Sequence, residues 1–375
     1  MKALHLFSNS RWTGPAEPAV RLCIALREQG VDTSLACCPG PPGRVNYVVD
    51  TARAHGIEPI PGFRLVKHLD PIKNWLDVRT LRRHLQENPP DVIHCHLDND
   101  HRIAASAAAP LGIPVVRSSY HGVGFPKIWG LRRMLKHTRF LIQPSQRALE
   151  HDAAVHGVPK ERMTVVHGAV DTSRFDPARA LPDGRAQLDL PPDAFAVGIV
   201  ARMQPHRHYE DFWRAIRWLA DAHPHARAVA LGRGTKEEQV ARQPVRELGL
   251  ESHVHFPGYA SGDDYVAMLK ALDCLVYLVP GSDGTCRAVR EAMALGVPGV
   301  VADRGMLPEI VTHGANGLVF DGSAESLFEA LQQLAKDPLL RQRLGQNALQ
   351  KAQTHYALSA QAAAVRGVYE HVLEG

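Results

Sequence analysis

Along this chain, apolar positions fall first in short continuous runs, then at helical spacing, then in runs again. Lys2 to Ser8 reads as a strand. After a turn at Gly14 and Pro15, Ala19, Leu22, Cys23 and Leu26 recur at the period of a helix that Gly30 stops, and Val31 to Cys38 reads as the next strand. "PDVIHCH" and "GIPVVRSSYHG" enclose an alanine-rich helix between Arg102 and Ala109. Strand-helix-strand alternation of this kind implies a parallel sheet with helices on both faces. Residues 176 to 195, rich in Pro, Asp and Ala, lose the periodicity and read as a linker. The rhythm then restarts with strands in "FAVGIVARM", "ARAVALGRG", "HVHFPG", "DCLVYLV" and "GVPGVVA", with a helix from Tyr209 to Ala222. Helical patterning returns at Ala324 to Ala335 and from Leu339 onward. The expected organisation is α/β: a first domain over 1–180, a second over 190–355, and an amphipathic segment within 356–375 crossing back to the first.

Composition narrows the class. A length of 375 residues exceeds the roughly 100–200 of one domain, and 45% hydrophobic with 22% charged residues fits two packed cores. No apolar run approaches the roughly 18 residues of a bilayer span, and the start "MKALHLFSNSRW" is too polar for a signal peptide, so a cytoplasmic chain is expected. The six cysteines (Cys23, Cys37, Cys38, Cys95, Cys274, Cys286) form no CxxC pair and read as reduced, mostly buried thiols. A net charge of +4 gives no electrostatic footprint for nucleic acid. Charge does concentrate between Lys127 and Arg139, where five cations interleave with Ile128, Trp129, Leu131, Met134 and Leu135. That pattern fits either peripheral contact with the anionic inner face of a plasma membrane or a helix packed on its own domain with a solvated basic face.

Chemistry-bearing residues gather in "PGSDGTCRAVREAMALGVPG". Gly284, Thr285 and Cys286 fall where a helix begins after the apolar run "DCLVYLV", at the carboxyl end of a parallel strand. Open α/β sheets bind ligands at that edge, and the free N–H groups of a helix start attract phosphate. Asp283 before the turn and Glu291 within the helix can accept hydrogen bonds from sugar and ribose hydroxyls; the alternative is a helix cap and a solvated surface residue. His94 and His96 alternate on a strand ahead of Asp98 and Asp100, but two rings fall short of a zinc site. "ALGRG" is a lone GxG that completes no dinucleotide fingerprint.

Together with "LPEIVTHGANGLVF" these residues resemble the signature of glycosyltransferase family 4, retaining enzymes of the GT-B fold, in which two Rossmann-like doubly wound domains face a central cleft. "VGIVARMQPHRHYEDFWRAI" is similar to the family's strand-turn-helix that clamps a nucleotide diphosphate: Arg202 matches its Arg, Arg207 stands for its Lys, and His208 stands for its Gly. "VVHGAVDTSRFDP" resembles the segment before the linker, and "YHG" the strand-end histidine beside the donor sugar, here His121. Asp283 replaces a Glu, and Gly14-Pro15 replaces a glycine pair.

The resemblance implies catalytic roles for His121, Asp283, Arg202 and Arg207, and donor contacts from Gly14, Gly284, Thr285, Cys286 and Glu291, with no metal and no cofactor. The implied reaction is a same-face displacement from a UDP- or GDP-sugar to a hydroxyl of a saccharide or lipid-linked saccharide, as in bacterial surface polysaccharide, lipopolysaccharide or glycolipid synthesis. An epimerase or phosphorylase on a similar scaffold is a further class, the latter without a candidate cofactor lysine here. A catalytically inactive nucleotide-sugar-binding or protein-interaction member of the same fold is the alternative reading.

Overall fold

The structure, a computed structural model, describes residues 1–279 and 286–374. The chain forms two compact units: residues 1–169 with 358–374, and residues 170–279 with 286–357. Among the described residues it passes between them at 169–170 and at 357–358.

The first unit holds strands β1 (Lys2–Phe7), β2 (Asp32–Cys37), β3 (Val92–Cys95), β4 (Val115–Ser118), β5 (Phe140–Gln143) and β6 (Met163–Val165) in the order β2-β1-β3-β4-β5-β6, all parallel. Their residues are almost all buried, as a sheet covered on both faces requires. On one face Leu4, Leu6, Ile93, Cys95 and Val115 pack against helix Asp98–Ala108. On the other, Ala3, Val92, Val116 and Ile142 pack with Leu22 and Leu26 of helix Ala16–Glu28 and with Ala362, Val365, Val368 and Tyr369 of helix Leu358–Glu374. The last helix therefore completes the core of the first unit. Gly30 ends helix Ala16–Glu28 at φ 83°, a conformation glycine reaches without strain, and lets the Val31 N–H return to the Leu26 carbonyl at 3.0 Å.

The second unit holds β7 (Phe195–Val200), β8 (Ala226–Leu231), β9 (Val254–Gly258), β10 (Cys274–Tyr277), β11 (Gly299–Ala302) and β12 (Gly317–Phe320) in the order β12-β11-β10-β7-β8-β9, again parallel. Residues 170–189, read from sequence as the end of the first domain and a linker, pack in this unit, with Val170, Phe175 and Leu188 buried in its core.

Each sheet has a point where strand order reverses, between β1 and β3 and between β7 and β10. The crevices beyond the carboxyl ends of those strands are where open α/β sheets receive ligands.

Among the described residues no helix is long and apolar enough to cross a membrane. In the 127–139 stretch, Leu131, Met134 and Leu135 of helix Leu131–Lys136 are buried in the first unit. What faces outward is the basic side with Arg132, Arg133 and Lys136, and Trp129 at 80% exposure. The apolar side is occupied by the fold, so any surface contact here works through charge and Trp129.

Candidate functional site

In the second unit, the loop after β7 carries Arg202 and Arg207. Its backbone is held by the neighbouring loop: the Ala201 N–H donates to the Leu231 carbonyl at 3.2 Å, and a Cβ at Gly232 or Gly234 would collide with the carbonyl oxygen of Ala201 or Met203. The "ALGRG" glycines thus serve close backbone approach. His208, at φ 55°, takes the left-handed conformation natural to glycine and starts helix Tyr209–Ala222. The substitution leaves that backbone geometry in place at a local cost. Arg202 is exposed, Arg207 half-buried, and neither has an acidic partner among the described residues.

Beyond β10, Asp283, Gly284 and Thr285 lie outside the described residues. Cys286 is buried and precedes helix Arg287–Ala294, whose Glu291 is only 4% exposed. The Tyr265 hydroxyl donates to Glu291 Oε2 at 2.6 Å, and Arg287 Nε stands 3.0 Å from Oε1. Burial first, then the Glu291 charge, pushes the Tyr265 hydroxyl well above its ordinary pKa, so it remains a donor. Glu291 is no solvated surface residue. It is a carboxylate fixed from both sides, with remaining lone pairs to accept from a ligand diol.

In the first unit, His121 follows β4 on a loop anchored three times. The Ser145 hydroxyl donates to the Gly122 carbonyl at 3.1 Å, the Phe125 N–H donates to buried Asp152 at 2.8 Å, and Gly124 at φ 93° leaves no room for a Cβ beside His151 and Asp152. Half-exposed His121 places Nε2 3.7 Å from Asp98 Oδ1, which also accepts from Arg117 Nη2 at 3.0 Å. Burial opposes ionisation of Asp98, but the His121 hydrogen bond and the Arg117 charge outweigh it and hold the carboxyl below its usual range. Arg117 is 1% exposed. The resulting Arg117–Asp98–His121 array fixes the imidazole while leaving one side of it open. Sequence reading found His121 but not its partners, because Asp98, Arg117 and His121 come from two different strand ends.

Behind this array His5, His94 and His96 stack in the core. His5 Nδ1 meets His96 Nε2 at 3.0 Å, His96 Nδ1 meets the Tyr120 hydroxyl at 2.9 Å, His94 Nε2 meets Ser118 at 2.8 Å, and Tyr369 bridges His94 Nδ1 and His5 Nε2. Burial holds all three rings neutral, His5 down to about 3 and the others well below the usual range. Every ring nitrogen is thereby committed to a hydrogen bond, and the cluster reads as a buried polar layer rather than a prepared metal site. Asp100, raised to about 7 by burial, accepts from the N–H groups of Ser8, His96 and Leu97 and ties the ends of β1 and β3 together. Gly14 sits on the surface in the turn before helix Ala16–Glu28.

Two family models match this chain, "Glycosyltransferase Family 4" over residues 14–174 and "Glycosyl transferases group 1" over residues 182–351, so one follows the other across almost its whole length. The chain belongs to glycosyltransferase family 4. Among curated relatives it is 29% identical over 230 residues to a D-inositol 3-phosphate glycosyltransferase of Streptomyces bingchenggensis, covering 59% of this chain and 50% of that protein. It is 28% identical over 248 residues to the lipopolysaccharide core biosynthesis mannosyltransferase LpcC of Rhizobium leguminosarum, covering 64% and 69%. The chain spans about half the length of the first curated relatives it matches. Among solved structures, Anabaena HepE in complex with UDP matches 99% of this chain and 100% of its own at TM-score 0.80 and 20% identity. A glycosyltransferase from Rickettsia africae matches 100% and 99% at TM-score 0.83 and 13% identity. This family 4 chain has the α/β two-domain GT-B fold of those structures.

Proposed function

We propose that this chain is a retaining, metal-independent glycosyltransferase that moves a sugar from a nucleoside-diphosphate sugar to an acceptor hydroxyl in the assembly of a surface polysaccharide, lipopolysaccharide or glycolipid. The observation that carries the reading is Glu291, buried and held by Tyr265 and Arg287 on the helix beyond β10, at the strand-order reversal it shares with the Arg202 loop beyond β7. A buried carboxylate there suits a ribose diol, and two cations without acidic partners among the described residues suit a diphosphate leaving group. Asp283, Gly284, Thr285, Cys286 and Gly14 are the further donor contacts of this proposal.

In this mechanism Arg202 and Arg207 neutralise the charge that develops on the departing diphosphate, which removes the acceptor's proton on the same face. His121, oriented by Asp98 and Arg117, hydrogen-bonds the transferred sugar. Asp283 holds a second hydroxyl of that sugar. The complexes of HepE with UDP and UDP-glucose support a UDP-sugar as donor, and the mannosyltransferase relative supports an outer-envelope acceptor. The outward basic face with Arg132, Arg133 and Trp129 gives peripheral attraction to an anionic inner-membrane surface.

The test is thermal stabilisation and slow donor hydrolysis with UDP- and GDP-sugars, with and without EDTA, on the native chain, Arg202→Ala and Glu291→Gln. One nucleotide class stabilises the native chain irrespective of EDTA, and Arg202→Ala loses about 100-fold in kcat/KM or more. No nucleotide response in the native chain sinks the transferase reading.

A further inference from the structure

A cavity of about 890 Å³ opens in the first unit beyond the carboxyl ends of β1 and β2. Arg11, Arg44, Arg64, Lys67, His68 and Lys73 line it, and no acidic side chain does among the described residues. Two of these cations have acids nearby, Lys73 at 3.1 Å from Asp70 and Arg64 at 3.9 Å from Asp77. Arg11, Arg44 and Lys67 have no acidic partner among the described residues. Trp12 and Tyr47 stand exposed in the same wall.

The loops that carry these charges are built on buried polar groups. Asp77, fully buried on helix Pro71–Glu87, accepts from the N–H groups of Arg64 at 2.9 Å and Leu65 at 2.8 Å and holds Leu65 at φ 39°. Asn99 donates to the Val66 carbonyl at 2.7 Å and exchanges hydrogen bonds with Asn74. Asn46 donates to the Cys38 carbonyl at 2.9 Å and caps helix Tyr47–Ala54. Gly40 at φ 77° brings its turn against Ser10. Each of these groups would be costly to bury if the loop it holds were free to move. Like charges are thus gathered on three fixed loops, an arrangement that repels itself until an anion fills it.

We infer that this cavity binds a phosphate monoester or diphosphate carried by the acceptor, placing a phosphorylated acceptor before His121. The inference rests on the transferase reading and adds its acceptor class. Three arginines and two lysines exceed what one carboxylate needs and match the several oxygens of a doubly charged phosphate. The cavity volume is that of a small-ligand site. Asn9 lines it and follows Ser8, whose N–H is bound to Asp100 in the helix that begins with Asp98. The cavity and the Asp98–His121 pair therefore lie along one edge of one sheet. The phosphate comes either from a soluble sugar phosphate or from a prenyl-diphosphate-linked saccharide.

Calorimetric titration of inorganic pyrophosphate into the full chain tests this. Arg44→Glu with Lys67→Glu weakens binding at least tenfold or removes one of two sites, while Lys2→Glu with Lys160→Glu, an equal charge change at the opposite edge of the sheet, leaves it within twofold. Both pairs are exposed and retain the native melting temperature. Equal binding by the native chain and the cavity variant, or equal weakening by both variants, overturns the proposal. Competition then separates the sources: displacement of pyrophosphate by glucose 1-phosphate supports the soluble acceptor, displacement by farnesyl diphosphate the lipid-linked one, and displacement by neither, or equally by glucuronate, overturns phosphate recognition. The UDP-sugar thermal shift is read on the same samples. If it is absent from the native chain while pyrophosphate binding persists, the transferase reading fails and the anion site stands.

Discussion

At the strand-order reversal of the first sheet, the ends of β1 and β3 are tied by neutral stacked histidines, a buried aspartate with raised pKa and a buried arginine. At the corresponding place in the second sheet, the β7 loop is held by backbone packed against glycines, and one buried carboxylate waits beyond β10. The same parallel topology therefore fixes its loops in two ways. Hydrogen bonds among buried side chains specify direction but tie the first unit to protonation state; backbone contact in the second is insensitive to pH but intolerant of a single methyl group.

Acid should break the equivalence of the units most strongly. His5, His94, His96 and His101 have folded pKa values lowered by burial, His5 and His101 to about 3, against an ordinary value of 6.5. Their neutral contribution is present above pH 6.5 and is lost as pH falls from 6.5 toward about 3. Asp100, raised to about 7, runs the other way, gaining as pH falls below 7 toward the ordinary carboxylate value, and offsets part of the loss. Four lowered histidines against one raised carboxyl give a net loss at pH 5 that is larger in the first unit than in the second, where His253 and His255 are also lowered but less deeply buried. Hydrogen exchange at pH 7 and pH 5 reads it amide by amide, and equal loss of protection in both units would refute the contrast.

A matched pair of substitutions sharpens it at constant pH. Asp77→Ala strands the Arg64 and Leu65 N–H groups and should cost about 3 kcal/mol. Gly234→Ala drives a Cβ into the Met203 carbonyl and should cost about 2 kcal/mol. Urea melts followed by probes in each unit should show each loss in its own unit. The smallest effect is at His208, where glycine relieves a left-handed backbone but gives up chain stiffness, for a net gain of about 0.5 kcal/mol in the same melts.

The alternation of strands and helices was readable because parallel strands are continuous apolar runs, and helix Tyr209–Ala222 fell on its expected bounds. Helix Pro71–Glu87 escaped notice for a physical reason: its buried stripe is Asn74, Asp77, Leu81 and Leu85, so half the positions that should mark it are polar. Those two polar residues hold the loops of the basic cavity. The proposed donor residues followed from a local motif, whereas Asp98 with Arg117, and His5 with His94, His96 and Tyr369, meet across sequence separations that no periodicity encodes. Glu291 was found by its spacing, but its burial and its Tyr265 partner were not.

The last helix gives the fold a direction in time. The described residues of the second unit, 170–279 and 286–357, all precede Leu358–Glu374, whereas the first unit lacks the cover over Ala3, Val92 and Val116 until that helix has been made. At cellular rates of translation the earlier-made unit waits roughly 10–40 s for its final layer. Until then His94 and His5 lack the Tyr369 hydroxyl that bonds both in the finished fold. The segment synthesised later can thus finish folding first, and the sheet of the first unit leaves apolar surface uncovered until its own sequence is complete.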